Sequence, residues 1–142
     1  MESQTVCSCA YIENGDQLLL VLRKSPPYAK SWVGPGGRPK KGETYPETVI
    51  REVKEEIGFD VQVRKYLGNV SFPSDHDSSK RCRVEVYNCK VIGGEMKISE
   101  NEIADARWVS KDEILSLGLA KPVEVFYKEL LNSEQFPISV LL

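Results

Sequence analysis

A single mixed α/β domain is what this sequence predicts, and three observations carry that expectation. Runs of β-branched and aromatic residues recur along the chain with strand-like patterning. Between them, residues 44–58 read as an amphipathic helix with its own start and stop signals. A second apolar-faced helical stretch follows near the C-terminal end.

Taken in order, TVCSCAYI and QLLLVLRK are two β-rich runs separated by ENGD, whose Asn14-Gly15 is a strong hairpin signal. The polar segment SPPYAKSW then leads to a cluster of glycines, Gly34, Gly36 and Gly37. Thr44-Tyr45-Pro46-Glu47 fits a capping box, with Pro46 tolerated in the first turn, and Gly58 ends the helix as a residue that accepts a left-handed conformation. DVQVRKYLGNVSF and RCRVEVYNCKVI are expected to be strands flanking the polar loop PSDHDSSK, and ADARWVS a shorter strand. Ser110-Lys111-Asp112-Glu113 reads as a second capping box opening a short helix through Leu117. A last helix over about Val123 to Leu131 sets Val123, Phe126, Tyr127, Leu130 and Leu131 on one face. No repeat, low-complexity tract or linker divides the chain, so residues 1–142 are expected to form one domain.

Composition narrows the function. With 142 residues, 41% of them hydrophobic and 28% charged, the chain can bury a real core. A net charge of −2 gives no global pull toward nucleic acid or an anionic membrane, so no stable nucleic-acid complex and no membrane association are expected. The first residues, MESQTVCSCAYIENGD, lack the basic start and apolar core of a signal peptide, and cytoplasm is the expected location. Cys7, Cys9, Cys82 and Cys89 contain no C-x-x-C pair, and His76 stands at no ligand spacing from them. Free thiols are therefore the reading preferred over a metal site.

The helix between Thr44 and Gly58 is the informative element. At about 100° per residue, Glu52, Glu55 and Glu56 fall within an arc of roughly 100°, and Val49, Ile50, Val53 and Ile57 on another arc. Arg51 has Glu47 four residues before it and Glu55 four after, a favourable ladder. That ladder accounts for neither the like charges Glu52 and Glu56 on one side nor the glycines ahead of them. A hard divalent cation accounts for both, because Mg²⁺ is held by carboxylates together with substrate phosphates. Glycines let backbone approach metal and phosphate closely.

Gly37, Glu43, Arg51-Glu52-Val53, Glu55-Glu56 and Gly58-Phe59 fill every fixed position of Gx5Ex7REUxEExGU, U being apolar, so this segment resembles the Nudix box. Pro35-Gly36-Gly37 ahead of it and Trp108-Val109 after an acidic stretch are similar to the family as well. The resemblance implies a Nudix fold, an α/β/α sandwich with a mixed central sheet. It also implies a pyrophosphohydrolase that cleaves a nucleoside diphosphate linked to another moiety. By position, Glu52, Glu55 and Glu56 would hold Mg²⁺ (or Mn²⁺), with the Gly36 carbonyl a further ligand. Arg51, backed by Glu43, would orient the acids. The general base would be Glu52 or an acid of the loop before Trp108, Glu100 or Glu102. Arg23, Lys24 and Gly37 would meet phosphates, and Trp32, Tyr28 or Phe72 would stack a base. The reaction implied is in-line attack on phosphorus by a metal-activated water.

Substrate signatures outside the box are indistinct. Pro73 is close to, but out of register with, the proline that marks ADP-ribose enzymes of the family, and Tyr66 comes too early to match the tyrosine of dinucleoside polyphosphate hydrolases. A nucleoside triphosphate or modified nucleotide is the default small-molecule substrate, with ADP-ribose, dinucleoside polyphosphates or a non-catalytic nucleotide-binding module as alternatives. The complete box argues against the isopentenyl diphosphate isomerase variant and against modules that have lost box glutamates. The family implies a monomer or a homodimer.

Overall fold

A computed structural model describes residues 3–26, 28–75 and 77–142. The expectation drawn from His76 falls outside them. Strand β1 (Ser3–Asn14) turns through Asn14-Gly15 into β2 (Gln17–Arg23). Two short strands follow, β3 (Trp32–Val33) and β4 (Gly36–Gly37), then helix α1 (Tyr45–Ile57). The long pair β5 (Phe59–Pro73) and β6 (Lys80–Gly94) comes next, with β7 (Ile103–Ser110), helix α2 (Lys121–Leu131) and β8 (Ile138–Leu141) after it.

These strands build one mixed sheet in the order β3-β2-β1-β6-β5-β8, with β4 paired to β1 and β7 to β2. β1 runs parallel to β6 from Ser3 opposite Lys80 to Ile12 opposite Cys89, and β8 runs parallel to β5; the other pairings are antiparallel. Helices cover both faces. Val49, Val53 and Ile57 of α1 pack on Ala10, Ile12, Leu19 and Val21, whereas Phe126, Tyr127 and Leu130 of α2 pack on Tyr11, Leu18, Leu20, Val70 and Val86. That explains the unbroken apolar run of β2: a strand covered on both sides needs no polar alternation. The expected α/β/α sandwich is the one observed.

Several local expectations are corrected. Ser110 ends β7 and its Oγ accepts from the Asp112 N–H, while Glu113 precedes a single 3₁₀ turn, Ile114–Ser116, without any side-chain cap. The second capping box does not form: Ser110 is still the last residue of β7, only a 3₁₀ turn follows, and Gly118, at φ 92°, turns the chain beyond it. The last helix begins two residues early at Lys121, with Pro122 in its first turn, where no N–H partner is needed. Leu131 is 39% exposed instead of buried with its predicted face. On α1, Ile50 lies 42% exposed, outside the apolar arc assigned to it.

Candidate active site

The first capping box forms as the spacing requires: Thr44 Oγ1 accepts from the Glu47 N–H, and Glu47 Oε1 accepts from the Thr44 N–H. Gly58 closes α1 at φ 85°, its N–H donating to the Lys54 carbonyl. Between these caps the helix is held at fixed rotation by its buried apolar side, and so are the acids on the other side.

Glu52, Glu56 and Glu102 converge, each offering a carboxylate oxygen within 4.8 Å of the others. Glu56 is only 6% exposed and accepts from the Gly36 N–H at 3.3 Å. Burial, reinforced by the neighbouring Glu52 charge, pushes the Glu56 carboxyl up to about 8. Burial also raises Glu52, against the opposing pull of Arg51. Such a group of acids, brought together at the cost of charging two of them, fits a cation: the donors are all hard carboxylate oxygens, the set that Mg²⁺ or Mn²⁺ prefers. Among the described residues no other such group of histidine, cysteine or acidic side chains is found.

Glu55 stands apart from this group. Its side chain is 46% exposed and accepts from Arg51 Nη1 at 3.1 Å. Arg51 also donates from Nε and Nη2 to the two oxygens of Glu43, from Nη1 to Glu52 Oε1 and from Nη2 to the Arg38 carbonyl. The expected Glu47–Arg51 pair of the ladder is replaced by Glu43–Arg51, while Glu47 Oε1 is engaged in the cap with the Thr44 N–H. Glu43 is thereby held down to about 2, chiefly by its hydrogen bonds from Arg51 and then from the Lys40 N–H and Thr48.

The two box-entry glycines do different work. A Cβ on Gly36 would collide with the Ser8 carbonyl and lie 2.6 Å from Cys9 Cα, so the pairing of β4 with β1 requires glycine. A Cβ on Gly37 would lie 2.6 Å from the Glu52 carboxyl carbon. It is the amide of Gly36, bonded to Glu56, that touches the acid cluster.

A cleft opens beside the glycines on the α2 face of the sheet, lined by Arg23, Tyr28, Phe72, Cys7, Cys9, Cys82, Val84 and Phe126 among others. Tyr28 sits edge-on to Phe72 with centroids 5.8 Å apart, and its N–H donates to Asp75 Oδ2 at 3.0 Å. Trp32 is not a base platform here; it is buried in the core with the Arg107 guanidinium over its ring. Lys24 is engaged with the Glu100 carbonyl, and Glu100 does not join the acid cluster that Glu102 joins. Sequence reasoning missed the thiol lining, for which alternation along β1 was the available signal: Cys7 and Cys9 share the cleft face. It also missed Ser8, a fully buried serine whose Oγ donates to the Tyr45 carbonyl and ties β1 to the start of α1. A polar residue amid an apolar strand was its only mark.

A family model described as NUDIX domain matches residues 3–132. An ADP-ribose pyrophosphatase of Methanocaldococcus jannaschii is 39% identical over 90 residues, 63% of this chain and 53% of that protein. The NAD-capped RNA hydrolase NudC of Stutzerimonas stutzeri is 29% identical over 120 residues, covering 84% of this chain and 41% of the relative. The chain thus spans about half the length of the curated relatives it matches. Among solved structures, a MutT protein from Methanosarcina mazei Go1 superposes with a TM-score of 0.82 at 26% identity, over 95% of this chain and 98% of that one. A MutT NUDIX hydrolase from Burkholderia pseudomallei gives 0.80 at 25% identity, over 89% and 98%. No helix among the described residues is long and apolar enough to cross a membrane.

Proposed function

The chain belongs to the NUDIX domain family, and from that premise we propose that it is a Mg²⁺-dependent pyrophosphohydrolase acting on a nucleoside diphosphate linked to another moiety. The observation that carries this reading is the convergence of Glu52, Glu56 and Glu102 within 4.8 Å, beside the Gly36-Gly37 backbone and at the edge of an aromatic-lined cleft.

Glu52, Glu56 and one oxygen of Glu102 would hold the cation, with Glu55 completing the acidic field from the Arg51 side. A divalent cation there supplies positive charge against the diphosphate oxygens and lowers the pKa of water at the phosphorus. Arg51 keeps Glu52 oriented through its bond at 2.8 Å while itself fixed by Glu43. Gly37, lacking a side chain, admits the diphosphate beside Glu52, and Arg23 at the cleft wall meets its negative charge. Glu102 accepts the proton of the attacking water; its exposure, against the burial of Glu56, supports that role. Water oxygen bonds to phosphorus, the bridging P–O bond breaks, and the departing phosphate carries the electron pair.

Incubation with ADP-ribose, NAD, nucleoside triphosphates including 8-oxo-dGTP, and dinucleoside polyphosphates, each with Mg²⁺ or Mn²⁺, tests the assignment. Hydrolysis of at least one is expected, falling about 10³-fold or more in Glu56→Gln, since the metal's charge stabilisation is worth several kcal/mol at about 1.4 per tenfold. Equal rates in the variant, or an inert wild type across the panel, would refute it.

A further inference from the structure

Glu102 reaches the acid cluster from outside α1, so something must aim its segment. The turn that carries it is compact: the N–H groups of Glu102 and Ile103 both donate to the Ser99 carbonyl at 3.1 Å. Its back is tied to α1, with the Ser99 N–H on the Glu56 carbonyl and the Lys97 N–H on the Ile57 carbonyl, each at 2.8 Å. Its front is met by Lys24, whose Nζ donates to the Glu100 carbonyl.

A second feature sets where that contact falls. β2 and β7 pair in step as far as Leu22 opposite Asp105, after which Arg23 stands opposite Ile103, leaving Ala104 as a bulged residue. The ladder ends at that pair, so Lys24 and Glu102 are the residues that follow and precede it on the two chains. Bulges of this kind re-aim side chains. At the end of β2 two consecutive cations have separate tasks: Arg23 lines the cleft, and Lys24, just past the strand, grips the acidic turn.

We propose that Lys24 is a positioning residue, which together with the Ala104 bulge straps the Ser99–Glu102 turn against α1 and holds Glu102 in register with Glu52 and Glu56. The proposal rests on the reading of those acids as the metal site. The ammonium does two things at once. It fixes the turn through a charge-assisted bond to a carbonyl, and it places positive charge beside a segment bearing Glu100 and Glu102.

The test is calorimetric titration of the metal-free protein with Mn²⁺, using wild type, Lys24→Met, Lys24→Arg, Glu102→Gln and the Lys24→Met/Glu102→Gln double variant. Lys24→Met is expected to weaken Mn²⁺ binding about 10-fold, as loss of a residue supporting a ligand does. Its metal-free melting temperature should match wild type, because the bond is exposed. Lys24→Arg should retain affinity. In the Glu102→Gln background Lys24→Met should cost nothing further, since the two losses are one. Unchanged affinity in Lys24→Met, or an equal extra loss in the double variant, overturns the strap while leaving the metal site standing. A wild type that binds no Mn²⁺ overturns both.

Discussion

Arg51 concentrates the electrostatics of the site in one side chain. Its guanidinium meets both oxygens of Glu43, one of Glu52, one of Glu55 and a backbone carbonyl, so its hydrogen-bonding groups are engaged within the protein. Glu43 is the partner whose carboxyl the guanidinium holds down. Its carboxyl falls from an ordinary 4.5 to about 2 in the folded protein. A carboxyl lowered by folding contributes stability that is complete above the unfolded value and is lost as pH falls through the folded one. The stability difference between wild type and Glu43→Gln should therefore be constant above about pH 5 and shrink between pH 4.5 and 2. Urea unfolding across that range reads it directly, and a pH-independent difference would mean that Glu43 acts through packing.

At the scale of elements, α1 and the two-residue strand β4 divide the labour of the box. Gly36→Ala should unfold the pairing of β4 with β1, because the new methyl meets backbone that cannot move aside; a loss of about 1–3 kcal/mol or more in urea midpoint analysis is expected. Gly37→Ala meets the free end of the Glu52 side chain instead. It should keep most of its stability while losing hydrolysis and Mn²⁺ affinity, so the two substitutions separate fold from site. Much of this was legible in the sequence: the caps at Thr44 and Gly58, the hairpin at Asn14-Gly15 and the acids of α1 follow from local chemistry. β3, β4 and β8 were not, since strands of two to four residues owe their form to partners far along the chain. The same reason hid the choice between Glu100 and Glu102, which depends on a bulge in β7. Glu55 shows the converse: helical periodicity put it with Glu52 and Glu56, but its bond to Arg51 draws it off.

Across the whole molecule, the acid cluster is a store of unfavourable charge placed where α1 meets β4 and the turn before β7. Whatever cation relieves it should also stabilise the fold, because binding to the native state alone shifts the unfolding equilibrium. Mg²⁺ at about 100 times its dissociation constant should add about 2.7 kcal/mol, seen as a rise in melting temperature. Glu56→Gln should abolish most of that rise. A wild type whose melting temperature ignores Mg²⁺ would show that the acids are tolerated without an ion.

The parallel pairing of β1 with β6 carries one more consequence, and it concerns time. Ser3 finds its partner only at Lys80, and α1, β5, Gly36 and Gly37 lie between. As the chain leaves the ribosome, β1 and β2 can close their hairpin at once, yet one edge of β1 stays open until β6 has been synthesised. Loop-closure entropy must be met before that distant pairing gives anything back. The acid cluster is thus assembled late, after β6 has emerged, and the growing chain carries an unpaired strand edge until then.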